Sequence, residues 1–468
     1  MKKTSFFALF LLEISLIFGM LSSCATKPKK ENTIKVSEEK TPEDPPNIKF
    51  AKKLQAELDK DNVKGAISLF DEIPESLKDD KELQLLLGAL FISDSQYDNA
   101  INIGNKILET DSSNSDALEI ISYAQRAKGD NKSYKATLNK ILEQNPYDVA
   151  ANIQKAQDYS LNKKWKLARE CYRKALKTDS SNLDAKFGYA QTSYYCDDID
   201  IAKKTFEEIL EQDSKNAPAL AYLGKIYGEE ENYLKASKYI SEALQYDNKN
   251  YDYWLDYGKF LRYQGKYDDA ISAWKNATEL DPTYFLAYAY LAGIYDELNK
   301  FEDALFYYQK VIETNPKYFY AYEEMGILSY HTQKYEDAIT YFNKAYENSA
   351  SYAYKLMVAA SYLKLGKKFE AKNTLNPVLK KMDRNSTEYF LVRFWAESYS
   401  KIAENSLIAK INKEDNSNKR GKMLFYLGLY YELNDFPQIA IEYYTKVTKL
   451  NAPMFFEYRI AEWSLENE

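Results

Sequence analysis

Residues 251–284 read YDYWLDYGKFLRYQGKYDDAISAWKNATELDPTY. Gly258 is followed twelve positions later by Ala270 and four further on by Trp274, and Ala277 and Pro282 close the stretch. The same beat returns 34 residues on as Ala292, Ala304, Tyr308, Val311 and Pro316, and again as Gly326, Ala338, Phe342 and Ala345. Toward the N-terminus it runs Gly224/Ala236, Ala190/Ala202, Ala156/Ala168 and Gly88/Ala100. A fixed period of this length belongs to a stacked array of one supersecondary unit, not to a single closed core.

Each unit reads as two helices. In residues 251–284 the apolar Trp254, Tyr257 and Leu261, then Ile271, Trp274 and Ala277, fall at helical spacing. Gln264-Gly265-Lys266 between them is a glycine stop signal. Asp281-Pro282 ends the second helix, because proline disfavours helical geometry in the residue before it. Small residues at the beat let the helix backbones approach, and aromatics fill the grooves alongside.

This pattern resembles the tetratricopeptide repeat (TPR) family, whose signature sets an aromatic, Leu-Gly, Tyr, Ala, aromatic, Ala and Pro at fixed places in each unit. The resemblance covers residues 47–454, with copies starting at Asn47, Lys81, Ser115, Val149, Leu183, Ala217, Tyr251, Phe285, Phe319, Tyr352, Ser386 and Gly421. It implies an all-α fold: an α-solenoid of about twelve stacked helix-turn-helix units in a right-handed superhelix. The first copy has Leu54 where the small residue belongs, and the third has Ser122 and Tyr134 at the beat. The eleventh, from Ser386, has lost it, and its second helix, expected over residues 406–413, runs into the polar residues 414–419. Residues 455–468 read as a lone capping helix, which an array needs over its last apolar face.

Composition agrees with such an array. Charged residues make up 28% and aromatics 15%, too aromatic for disorder and too polar for a polytopic membrane protein. A linear array also escapes the size limit of a single core, which 468 residues would strain. The net charge of −7 has both signs interspersed, so no nucleic-acid partner is expected.

At the N-terminus, Lys2-Lys3 precede a short apolar run over residues 6–18, interrupted by Glu13, and then Leu21-Ser22-Ser23-Cys24. A positive end and a short apolar run read as an export signal. The run falls short of the roughly 20 apolar residues of a membrane-spanning helix. Leu21-Ser22-Ser23-Cys24 resembles the bacterial lipoprotein cleavage box, which implies lipidation of Cys24 after removal of residues 1–23. The alternative is an uncleaved inner-membrane anchor. Residues 24–46, rich in Lys, Glu and Pro, read as a solvated tether. The expected location is the bacterial cell envelope, lipid-anchored and facing the periplasm or the cell surface.

The chemistry of catalysis is thin. No GxxxxGK[ST] loop, HExxH or CxxC occurs, so neither a metal nor a cofactor is expected and the chain reads as no enzyme. The single histidine, His331, falls late in a first helix, either facing the groove or as a partly exposed surface residue. Acidic neighbours such as Glu323-Glu324 lie adjacent on a helix, where side chains do not face each other. Cys171 and Cys196 fall at the same edge of neighbouring units, which leaves a disulfide and two unpaired thiols both open.

Positions 4, 7, 8 and 11 of each first helix pack on its partner, so positions 2, 5, 9, 12 and 13 form a different face. In TPR proteins that face lines a concave groove where peptide segments dock. Here it places Phe187, Tyr194, Tyr195, Lys225, Lys259, Arg262 and Tyr263 as binding candidates, from three successive first helices. Asp296, Glu297, Tyr320, Glu323 and Tyr330 continue the strip. These features together read as a membrane-anchored scaffold that binds a protein or peptide of the envelope, as an assembly or secretion accessory. A solute-transport accessory lipoprotein holding a small ligand, and a scaffold with an uncleaved anchor, are the alternatives.

Overall fold

A computed structural model describes residues 44–397, 401–450 and 455–466, and among them every regular element is helical. The expected rhythm is present. Val149–Leu161 and Trp165–Thr178 form one hairpin, Leu183–Tyr194 and Ile199–Gln212 the next, and Tyr251–Tyr263 and Tyr267–Leu280 another. Phe285–Glu297 with Phe301–Thr314, Phe319–His331 with Tyr335–Asn348, and Tyr352–Lys364 with Lys368–Leu379 follow in the same manner. The array is thus an α-solenoid of helix-turn-helix units. The described chain divides after Tyr222 into two compact units, each with its own buried clusters.

The helices start and stop for local reasons. Asn114, Asp148, Asn182 and Asn250 each accept a backbone N–H of the first turn that follows, as side-chain N-caps do. Between the two helices of a hairpin, the fifteenth residue of the unit takes a left-handed conformation. Gly265 does so at φ +73°, and so do Lys163, Asp197, Glu231, Asn299 and Gln333 at equivalent places. Only the backbone turn is common to these residues, so the turn is dictated by the packing of the two helices and glycine merely eases it.

The beat residues lock the hairpin. Ala168, Ala202, Ala236, Ala270, Ala304 and Ala338 are all fully buried. The small residue of the first helix receives the large side chain sixteen positions later. A Cβ on Gly258 would sit 2.4 Å from Trp274, and Trp274 donates its indole N–H to the Leu255 carbonyl at 3.1 Å. The same notch at Gly326 receives Phe342, which is fully buried. In the third unit, Ser122 and Tyr134 replace the small residues and are buried in turn, with Tyr134 in a cluster with Leu118, Leu138, Ile141 and Ala151.

Both irregular units depart from the hairpin. In the first, Leu54 is buried and the second helix, Val63–Leu69, is cut short and followed by two 3-10 turns around Pro74. In the eleventh, the first helix shrinks to Thr387–Ala396, and the second begins at Lys401 rather than residue 406 and ends at Asn412. The polar stretch 414–419 is not all loop, because the next helix, Ser417–Glu432, starts inside it under an Asn416 cap. The C-terminal helix, Phe456–Glu466, packs on Pro437–Thr448 and Ser417–Glu432 as a cap does, and it also reaches the Phe319–His331 helix.

Candidate functional site

The sequence-predicted binding residues fall in both units of the structure. In the N-terminal unit, Phe187 and Tyr194 meet edge-on with Tyr222, at ring centroid distances of 5.7 and 5.6 Å. Tyr222 itself stacks on Phe206 at 5.0 Å and receives a 2.6 Å hydrogen bond from the Gln191 amide. Tyr195 stacks on Trp165 at 4.3 Å with the rings 18° apart, yet it remains 46% exposed. The fold therefore brings Phe187, Tyr194 and Tyr195 into one aromatic cluster, with Tyr222 at its centre. An open cleft of about 450 Å³ borders it, lined by Lys163, Lys164, Trp165, Lys166, Leu167, Tyr195, Cys196 and Asp197.

In the C-terminal unit, Tyr263 stacks on Tyr233 at 4.6 Å and is 51% exposed. Arg262 pairs with Glu297 at 2.7 Å, and Lys225 with Asp256 at 3.5 Å. Lys259 is exposed, with its ammonium 5.7 Å from the Phe260 ring centroid. Burial raises the Asp256 carboxyl above the usual carboxylate range, with Lys225 opposing it. Each of these paired cations is answered by an acid of the following unit, which weakens long-range steering of a charged ligand.

Tyr195, Tyr263 and His331 share one place, the thirteenth of their units. Each meets the aromatic that opens the second helix of the preceding unit: Trp165, Tyr233 and Phe301, respectively. One ring face is thus used between units. For Tyr195 and Tyr263 much of the rest stays open to solvent.

His331 is not a plain surface residue. Its ring lies 5.0 Å from Phe301 and 4.0 Å from Trp463 of the C-terminal helix. Burial, then the Arg459 charge, holds its imidazole below the ordinary histidine value. Sequence reasoning missed Arg459 and Trp463 altogether. Neither lies in the repeat register, and only the path of the C-terminal helix brings them to the first helices of two earlier units.

Cys171 and Cys196 are free thiols, so the bridge left open by the sequence is not formed. Cys171 is part of the buried cluster of Ala156, Ala168, Tyr172 and Ala185, whereas Cys196 lies in the turn that borders the cleft. Burial pushes the Cys171 thiol up. Cys24 lies outside the described residues. Among the described residues no helix is long and apolar enough to cross a membrane, and no cluster of His, Cys, Asp and Glu has the makings of a metal site.

Two tetratricopeptide repeat family models match, over residues 222–284 and 261–323. The chain carries tetratricopeptide repeats. No curated protein matches it in sequence. Among solved structures it is similar to YrrB, described as a TPR protein with an unusual peptide-binding site, with 25% identity over 42% of this chain and 97% of that one, at a TM-score of 0.34. MamA is similar at 24% identity over 35% of this chain and 96% of that one, with a TM-score of 0.33. PilF of Pseudomonas aeruginosa is similar at 20% identity over 43% and 92%, with a TM-score of 0.39. TPR proteins are general protein–protein interaction scaffolds, and protein binding is the activity these repeats support.

Proposed function

We propose that this chain is a non-catalytic scaffold, tethered by a lipid on Cys24 to a membrane of the bacterial cell envelope, that binds another envelope protein through the first-helix face of its TPR array. The observation that carries the binding reading is the repeated half-free aromatic at the thirteenth place. Tyr195 and Tyr263 are rigidly stacked on one side and about half exposed. Rings held in this way offer contact area at low entropic cost. Because Arg262 and Lys225 are already paired within the fold, aromatic contact dominates recognition and salt has a modest effect.

The anchor reading rests on residues 1–46 alone. Metabolic labelling with palmitate is expected to mark the mature chain, and Cys24→Ala is expected to abolish the label and release the protein from membranes. An unlabelled chain that keeps Met1 in the membrane fraction would refute it. For the binding face, Tyr194→Ala with Tyr195→Ala is expected to weaken capture of the partner from solubilised membranes by about ten-fold or more, with the helical circular dichroism signal unchanged. An intact fold with an unchanged partner set would refute this face. The cleft at Trp165 is open and ringed by Lys163, Lys164 and Lys166, unlike the enclosed apolar pocket expected of a small-ligand carrier.

A further inference from the structure

The C-terminal helix does more than close the array. Arg459 presents its guanidinium to both carboxylate oxygens of Asp296, 163 residues earlier, with the Nη1 to Oδ2 bond at 2.8 Å. A second acid, Glu324, lies 3.5 Å from the same guanidinium. Trp463, one helical turn on, lies under the Arg459 charge, which is 4.1 Å from its ring centroid. The indole is also 4.0 Å from the His331 ring and 5.6 Å from the Phe301 ring. Asp296 and His331 hold the twelfth and thirteenth places of their units, which are groove positions.

Among the described residues, the cation paired with Asp296 comes from the C-terminal helix and not from a repeat. The Asp296 side chain is only 10% exposed, and its ion pair is with Arg459. A carboxylate buried to that degree is costly without a paired cation. The planar guanidinium, with two parallel donors, suits it better than an ammonium. The aromatic wall of Phe301 and His331 supplies the second determinant. A helix meets both when an arginine and an aromatic are four residues apart, because i and i+4 share a face.

The resident helix is joined to the last repeat by a separate face. Phe455 fills the notch at Gly421, where a Cβ would meet its ring at 2.4 Å, and Ile460 and Ala461 are buried. That face also carries a fault. Glu457 is fully buried; one carboxyl oxygen bonds the Tyr426 hydroxyl at 3.1 Å and the other has no partner among the described residues. An unsatisfied buried oxygen of this kind weakens the seat of the helix. Beside the occupied site the groove has room, since among the described residues nothing beyond the local backbone of its own helix lies within 4 Å of a Cβ built on Gly293, one turn before Asp296.

We propose that the groove formed by the Phe285–Glu297 and Phe319–His331 helices is a receptor for an amphipathic helix carrying arginine and, four residues later, tryptophan, and that Phe456–Glu466 is its resident ligand, exchanged for a partner helix of that chemistry. The proposal rests on the reading of the array as a binding scaffold and names the partner class for one of its faces.

The test uses the full chain with Arg459→Ala and Trp463→Ala, which vacates the two places that the resident arginine and tryptophan occupy in the groove while Phe455, Ile460 and Ala461 keep the helix on the last repeat. Two fluorescein-labelled probes are used: the peptide of residues 455–466, and an alanine-based helical peptide whose only recognition residues are arginine and, four positions on, tryptophan. Both are expected to bind the vacated chain at least ten-fold more tightly than wild type. Asp296→Asn in the vacated chain is expected to cost at least ten-fold, and a probe with arginine replaced by alanine is expected not to bind. Equal binding to all variants, or none to the vacated chain, overturns the proposal. So does a wild-type chain that dimerises by exchanging its C-terminal helices, which would make a second copy the occupant.

Should the double variant misfold, Asp296→Asn alone serves. It is expected to speed hydrogen exchange in residues 456–466 while Tyr251–Tyr263 keeps its protection, and unchanged exchange in the C-terminal helix overturns the proposal. The probes are the chain's own sequence and a synthetic helix, so failure to capture an envelope partner leaves this result standing. Failure of the probes leaves the aromatic face of the N-terminal unit untouched.

Discussion

The hairpins around Tyr172 and those from Phe319 onward use the same two helices per unit and bury them differently. Tyr172 lies in a cluster of neighbours in sequence, from Ala156 to Ala185, and its ring rests on Gly188 of the next unit. The C-terminal stretch has one cluster that runs from Ile327 to Ala461. Tyr426 is fully buried there, and its hydroxyl donates to the Ala353 carbonyl at 3.0 Å, 73 residues away. Lys364 and Glu432 pair at 2.7 Å across a similar interval. The degenerate eleventh unit explains the difference. With its first helix shortened to Thr387–Ala396, it does not fully separate its neighbours, and the last repeat reaches the tenth directly. A nearest-neighbour array becomes, at this end, something closer to a globular core.

The largest expected effect tests that contrast. Tyr426→Ala removes a fully buried ring and is expected to cost about 3–5 kcal/mol. Hydrogen exchange is expected to rise together across Tyr352–Lys364, Ser417–Glu432 and Phe456–Glu466. Tyr172→Ala is expected to loosen only the Val149 and Leu183 units. A strictly local response to Tyr426→Ala would break the comparison.

A second effect comes from Glu457. Burial pushes its carboxyl up to about 7 from 4.5, with Lys422 and the Tyr426 hydroxyl opposing and Glu323 adding. In the protonated form it donates to the Tyr426 oxygen while Tyr426 donates to Ala353. The folded value lies above the unfolded one, so this contribution is full below about pH 4.5 and is lost as pH rises through about 7. The denaturant midpoint of the wild type is therefore expected to fall relative to Glu457→Gln between about pH 5 and pH 8. His331 acts in the opposite sense, since its lowered value favours the fold at higher pH, and it is common to both proteins in this comparison. Parallel profiles would remove Glu457 as the cause.

The smallest effect is the one the two regions share. Lys163 and Gln333 hold the same left-handed turn at φ +55° and +61°. Glycine at either is expected to stabilise by up to about 1 kcal/mol, the steric relief less glycine's own entropic cost. Thermal melts that show a gain at one site and a loss at the other would mean that the turn is not equivalent in the two regions.

Most of the hairpin was legible in the sequence. The spacing of Gly258, Ala270 and Trp274 determined which helix faces meet, because a notch and the side chain that fills it lie sixteen residues apart in one unit. Gly265 and Pro282 marked the ends of those helices for equally local reasons. The aromatic candidates Phe187, Tyr194 and Tyr195 were found by the same periodicity, although their stacking on Trp165 and Tyr222 was not. What only the tertiary structure decided lies where contacts ignore the period. The eleventh unit has no beat from which to read its neighbours, so nothing local announces that Tyr426 reaches Ala353. Nothing near Arg459 and Trp463 in sequence points to Asp296 and His331. A repeat writes its nearest-neighbour contacts into every copy, whereas the return of the chain onto its own groove is a single long-range event set by shape and charge.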